Sequence, residues 1–346
     1  MDFVVVRISN MCSQQDAVIL EVPVSLLRTL DTVPRPVARR LPKDITIHGL
    51  LAADLALDKS RKYTQWNAVV PTRDDMTSSL PLAWDSALHH YLAKPARDLL
   101  SKQQAKIAKD WAAVQVAHPS VTEPDYLYAW LLVNTRTFYF VTPKTERLCN
   151  DDRMVLQPVA DLFNHADTGC AVVFDMVSFT VRADRAYDQG EEVHISYGRH
   201  SNDFLLVEYG FILDQNRWDE ICLDDAILPR LTSSQKTMLE DKGFLGKYRL
   251  DSGEVCYRTE VALRILCLPV RQWRKFVDGV DDGEKDQPAV NQLLLGLLKD
   301  FRGVARKNQL EVKGLQVGNE AQREMLEKRW MQISDMLDLT INRLGS

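Results

Sequence analysis

Between Ala171 and Tyr197 the chain alternates apolar and polar residues, while long stretches on either side carry helical spacing. That switch constrains the fold more than any other feature: a small β-rich middle has to be covered by helical segments. Ala171 to Asp175 and Ser178 to Ala183 read as a hairpin turning around Asp175-Met176-Val177-Ser178. Phe179, Val181 and Ala183 share one face of it, Thr180 and Arg182 the other. After a turn at Asp188-Gln189-Gly190, Val193, Ile195 and Tyr197 alternate on a further strand. Tyr197 then points the same way as two apolar residues, towards a core or pocket. Ser201 can cap a short helix ending at Tyr209, with Gly210 as its left-handed C-terminal residue.

Upstream, Ala17 to Pro23 is strand-like and ends at its proline. Residues 31–43 hold three prolines and read as a loop. From about residue 45 to 125 the character is helical. Thr46 caps a helix carrying Ile47, Leu50, Leu51 and Leu55. Residues 60–79 are polar and irregular, 94–116 form an amphipathic helix, and 125–138 form another. Beyond about residue 225 helices return over 261–268, 291–301 and 322–344. The last shows one apolar stripe of Met325, Leu326, Trp330, Ile333, Leu337 and Ile341. Leu231, Met238 and Leu239 are too sparse to define an element, and Asp278 to Gln287 reads as an acidic, flexible connector. The class is α+β, with a β-rich domain and a second, all-α domain.

Composition narrows the function. A chain of 346 residues is long enough for two domains, or for one with a large insertion. A net charge of −5 offers no general basic surface for nucleic acid. Cys12, Cys149, Cys170, Cys222, Cys256 and Cys267 form no C-x-x-C pair, and no histidine sits at finger spacing, so no metal site is expected. Such scattered cysteines fit reduced intracellular thiols. No apolar run approaches the ~20 residues of a membrane span, and the N-terminus lacks a signal-peptide pattern. The expected location is cytoplasm or nucleus. There is no P-loop, dinucleotide fingerprint or G-x-S-x-G nucleophile turn.

Two short strings carry the chemistry. The first is Pro158-Val159-Ala160-Asp161-Leu162-Phe163-Asn164-His165. The second runs from Gly190-Glu191-Glu192-Val193-His194-Ile195-Ser196-Tyr197-Gly198 through Ser201-Asn202 to Tyr209-Gly210-Phe211. An Asn-His pair and a Tyr-Gly pair on either side of short strands outline a small-molecule site built from loops on a β scaffold. Read on their own, Asn164 and His165 equally suit a turn, and Tyr197 equally suits a core position with a satisfied hydroxyl.

In order and spacing these strings resemble the SET-domain protein methyltransferases, specifically the branch typified by the Rubisco large-subunit lysine methyltransferase. Trp130 to Phe138 is similar to a helix of that branch ending in a Ser-Arg-aromatic type sequence. The resemblance implies a SET domain over residues 1–220 with its helical insertion at about 45–125, and a helical substrate-binding domain over 221–346. It implies S-adenosylmethionine as cofactor and methylation of a non-histone protein, at lysine or, as the same scaffold allows, at histidine. Tyr197 is then the catalytic tyrosine. Arg136, Asn164, His165, Tyr209 and Phe211 become cofactor-binding residues, and Asp161 orients the neighbouring loop or the incoming substrate. Arg136 would hold the cofactor carboxylate or form a salt bridge at its helix end. Phe211 would line the pocket or pack in the core. A protein substrate, no nucleic acid, no membrane and a monomer complete the expectation.

One departure stands out. The family opens with a Gly-x-Gly-type loop before the strand matching residues 18–23, where glycine lets the backbone pass close to the cofactor. Here Met1 to Asp16 contains no glycine. The rival expectation is therefore a degenerate SET-fold protein serving as a peptide-binding or scaffold module.

Overall fold

The computed structural model describes residues 14–175, 177–251 and 253–345. The glycine-free N-terminal stretch thus lies outside the described residues except for 14–16. The chain divides into two compact units. One takes the residues up to Ala83 together with Leu99–Arg199 and Val207–Gly210; the other takes Trp84–Asp98, His200–Leu206 and the chain from Phe211 onward.

In the first unit, strands β1 (Val18–Pro23), β2 (Thr137–Tyr139), β3 (Met154–Leu156), β4 (Asn164–Phe174), β5 (Ser178–Arg182) and β6 (His194–Ile195) form two sheets, ordered β1-β5-β4-β6 and β2-β3. The β4–β5 hairpin forms where the alternation puts it. The Asp175 carboxylate accepts the backbone N–H groups of Val177 at 2.7 Å and Ser178 at 2.8 Å, an Asx turn that closes the loop. Phe179, Val181 and Ala183 are buried, Thr180 is half-buried and Arg182 is exposed. β4 begins seven residues earlier than the alternation indicates, at Asn164 rather than Ala171.

The helical part of this unit centres on Ile47–Leu57 and Glu123–Arg136. Thr46 caps the first, its hydroxyl accepting the Gly49 N–H at 3.0 Å. Leu50, Leu51, Val114, Trp130 and Val133 share one core. Residues 60–79 are not irregular: they hold short helices at Thr64–Asn67 and Arg73–Ser79. The second has a capping box between Thr72 and Asp75, which satisfies two backbone donors and starts a helix too short to show a stripe. The proline-rich loop likewise contains one turn of helix, Arg35–Ala38.

The second unit is mainly helical. The long helices Gln287–Gly314 and Glu320–Gly345 are preceded by Tyr257–Cys267 and Val270–Val277. It adds a small sheet of β7 (Glu220–Cys222), β8 (Arg249–Asp251) and β9 (Glu254–Val255). A capping box of Thr232 and Gln235 starts a helix at Ser233–Asp241, where apolar spacing alone defines nothing. The acidic connector is built rather than loose. Gln272 donates to both Asp286 oxygens at 2.9 and 2.7 Å, and the Asp281 carboxylate accepts the Gly283 N–H at 2.9 Å. Among the described residues, no helix is long and apolar enough to cross a membrane.

Candidate active site

The two chemistry-bearing strings meet through a parallel strand pair. β6 lies along the start of β4, with Asn164 opposite His194 and His165 opposite Ile195. The register then slips, so that Cys170 also faces Ile195. Gly169 sits in that bulge. A Cβ there would lie 2.6 Å from the His194 carbonyl oxygen, so only glycine lets the two backbones approach this closely. Asn164 and His165 therefore open a strand rather than a turn, because β6 supplies their backbone partners.

Tyr197, two residues past β6, folds back over this pair. Its backbone N–H donates to His165 Nδ1 at 3.0 Å, and the two rings stack with centroids 5.0 Å apart. A backbone N–H can only donate, so Nδ1 must be the unprotonated nitrogen and a neutral His165 carries its proton on Nε2. The Tyr197 hydroxyl donates to the Phe163 carbonyl at 2.7 Å. Burial pushes the phenol up to about 12, while Arg136 pulls it down and Asp161 pushes it up. It stays protonated at neutral pH, with its hydrogen committed to Phe163.

Behind Phe163 lies a buried polar cluster. Asp161 belongs to a single 3-10 turn, Ala160–Leu162, and its side chain is fully covered. Arg136, at the end of its helix, donates through Nη1 to the Asp161 carbonyl at 2.7 Å and to Oδ2 at 3.2 Å. Of the two partners considered for Arg136, the salt bridge is thus present in the protein itself. Burial still holds the Asp161 carboxyl above its ordinary value, against the opposing pull of Arg136 and Trp66. Arg136 Nε is buried and has no hydrogen-bond partner among the described residues. That leaves a donor for an acceptor that the described residues do not provide.

Asn164 donates through Nδ2 to Glu192 Oε1 at 2.8 Å. Tyr209 closes the aromatic side, its ring 4.9 Å from that of Tyr197, and burial raises its phenol. Its neighbour Glu208 accepts from Asn134 Nδ2 at 2.8 Å, and burial raises its carboxyl as well. Arg136, Asp161, Asn164, His165, Tyr197 and Tyr209 all belong to the first unit, whereas Phe211 is a half-buried residue of the second. The sequence reading passed over Phe163, Glu192 and Trp66. The first two stand inside the two strings, where a carbonyl and a carboxylate partner are to be sought. Nothing around Trp66 marks it.

This β core, with its tyrosine folded over an Asn-His strand start, defines a class. The SET domain sequence profile matches residues 18–198, and the chain belongs to the SET-domain family. Within it, residues 219–343 match the profile of the "Ribosomal lysine N-methyltransferase 2 C-terminal domain". The chain is 28% identical over 251 residues to ribosomal lysine N-methyltransferase set11 of Schizosaccharomyces pombe, covering 69% of this chain and 64% of the relative. It is 25% identical over 288 residues to ribosomal lysine N-methyltransferase 2 of Saccharomyces cerevisiae, covering 68% and 60%. It thus spans somewhat under two thirds of the length of these relatives. Among solved structures it resembles the SET domain of LSMT bound to lysine and AdoHcy, with a TM-score of 0.62 at 15% identity over 98% of this chain and 83% of that one. Rubisco LSMT bound to AdoMet gives 0.61 at 15% identity, over 99% and 89%. At this identity the likeness establishes the fold.

Proposed function

We propose that the chain is an S-adenosylmethionine-dependent protein-lysine N-methyltransferase acting on a non-histone protein, of which a ribosomal protein is the first candidate. The observation that carries this reading is the hydroxyl of half-buried Tyr197, whose ring stacks on His165 and whose proton is held at 2.7 Å by the Phe163 carbonyl. The names of the yeast relatives point the same way. We assign residues 1–220 to the SET domain, with its insertion at 45–125, and 221–346 to substrate binding. The protein works as a monomer in cytoplasm or nucleus.

The site's donor set fits the cofactor. Among the described residues Arg136 Nε has no acceptor, and a ligand carboxylate would supply one. Asn164 and His165 offer amide, ring and backbone groups to the amino-acid and adenine portions, with Tyr209 as an aromatic wall. When bound, S-adenosylmethionine supplies an electrophilic methyl group that needs alignment more than activation. Tyr197 provides the alignment. Its proton is held by the Phe163 carbonyl, so its oxygen has a fixed orientation and would act as an acceptor for weak C–H contacts. The half-buried rings of Tyr197 and Tyr209 favour a neutral incoming amine by desolvating it. Asp161 orients this side of the site.

Calorimetric titration with S-adenosylmethionine, followed by labelled methyl transfer to ribosomal proteins, tests the reading. Binding and label on a lysine are expected. Asn164→Ala should weaken cofactor affinity about tenfold, the cost of one good polar contact. No binding at millimolar cofactor overturns the proposal and returns the scaffold alternative. Unchanged affinity in Asn164→Ala removes that residue from the site.

A further inference from the structure

Trp66 stands on the short helix Thr64–Asn67, in the helical insertion and far in sequence from the catalytic strings. Its indole N–H meets both carboxylate oxygens of Asp161, at 3.0 Å from Oδ1 and 2.9 Å from Oδ2. Both residues are buried. A carboxylate taken out of water is costly unless donors surround it. Those facing Asp161 are Arg136 from the helix Glu123–Arg136, the Val159 backbone and Trp66. The other titratable group near it is the Tyr197 phenol.

The turn that Asp161 anchors is strained. It is entered at Val159 with φ of +84°, a left-handed conformation that a β-branched residue adopts only under constraint. Phe163 follows directly, and its carbonyl receives the Tyr197 hydroxyl at 2.7 Å. An unbroken line of contacts therefore runs from the insertion to the phenol: indole to carboxylate, carboxylate to turn, turn to carbonyl, carbonyl to hydroxyl.

We propose that Trp66 is a positioning residue: acting through Asp161, it holds the turn that aims the Phe163 carbonyl, and so sets the direction of the Tyr197 hydroxyl. The inference rests on the methyl-transfer reading for its kinetic consequence, but not for its structural one. The insertion then does more than shield the β core, because one of its side chains tunes the geometry of the reacting end.

Trp66→Phe keeps the bulk and removes only the donor. The Asp161 anion loses stabilisation, so its carboxyl, already raised by burial, rises further. A carboxyl raised on folding contributes stability below its unfolded value and loses it as pH climbs through the folded one. The Tm deficit of Trp66→Phe against the natural protein should therefore grow as pH climbs from the ordinary carboxylate range to above the raised folded value of Asp161. Lost packing alone would give the same deficit at both ends. In turnover, kcat should fall about tenfold with the cofactor KM within about twofold, as expected when orientation rather than binding is lost. In an Asp161→Asn background, adding Trp66→Phe should change kcat less than about twofold, because both changes break one link. A Tm deficit independent of pH, or additive losses in the double variant, overturns the proposal. If the natural protein transfers no methyl at all, the enzymatic reading fails, and the pH dependence of the Tm deficit still decides the Trp66–Asp161 link.

Discussion

Tyr197→Phe is expected to fold normally, keep its cofactor and lose about 10²-fold or more in kcat, the scale of losing one well-placed orienting group. The substitution deletes a single oxygen. The ring that stacks on His165 at 5.0 Å and meets Tyr209 at 4.9 Å is retained, so the shape of the site survives. Two things are lost. The Phe163 carbonyl gives up its donor at 2.7 Å, which costs stability by about 1–3 kcal/mol where the group stays buried. The fixed acceptor offered to the methyl group also disappears, and phenylalanine has no atom to replace it. The split between parameters is the informative part. Cofactor affinity by calorimetry should stay within about threefold, while single-turnover transfer slows. A variant with full kcat would remove Tyr197 from the chemistry and leave it a core residue.

The parts of this fold legible in the sequence are those governed by near neighbours. The faces of Phe179, Val181 and Ala183 against Thr180 and Arg182 follow from the pleat, and the Thr46 cap follows from local backbone chemistry. The illegible parts depend on distant pairing. β4 reaches back to Asn164 because β6 comes alongside in parallel, and no local pattern announces a partner some 30 residues away. Asn164, His165 and Tyr197 could be singled out as residues, but the hydrogen bonds joining them to Phe163 and Glu192 could not. Trp66 is the extreme case, reaching an aspartate 95 residues on. The capping boxes at Thr72 and Thr232 were readable by rule, yet they start helices of seven and nine residues, too short for periodicity to reveal. The helix Gln287–Gly314 outruns the expected 291–301, its later turns burying Ala305 and Val312 and adding ion pairs at the surface. Arg302 and Arg306 reach Asp338 at 2.6 and 2.9 Å, a pairing that a search for apolar stripes does not see.

The same blind spot hides the largest stability effect in the second unit. Arg329 sits within the apolar stripe of the last helix, three residues after Leu326 and four before Ile333, so spacing alone turns it inward. The structure places it there, with its side chain 2% exposed. Its Nε meets Asp203 at 2.8 Å and its Nη1 meets Asp219 at 2.6 Å, with both carboxylates also buried. Asp219 in turn accepts the backbone N–H of Asn202 at 2.9 Å. The guanidinium is the common partner of two anions, so Arg329→Ala leaves both uncompensated in a dry interior. The expected loss is about 3–5 kcal/mol, the range for breaking a buried pair from one side. For a unit of this size that lowers Tm by roughly 6–20 °C, at about 2–4 °C per kcal/mol. Arg329→Lys should recover only part of it, because an ammonium donates from a single nitrogen, whereas these carboxylates are met by two spaced nitrogens, Nε and Nη1. Replacing all three charges together, as Arg329→Met with Asp203→Leu and Asp219→Leu, should be far milder than Arg329→Ala, since no stranded charge remains. Thermal unfolding of the three variants checks the series. An Arg329→Ala protein within about 1 kcal/mol of the natural one would mean that water reaches these carboxylates and that the triad does not anchor the helix.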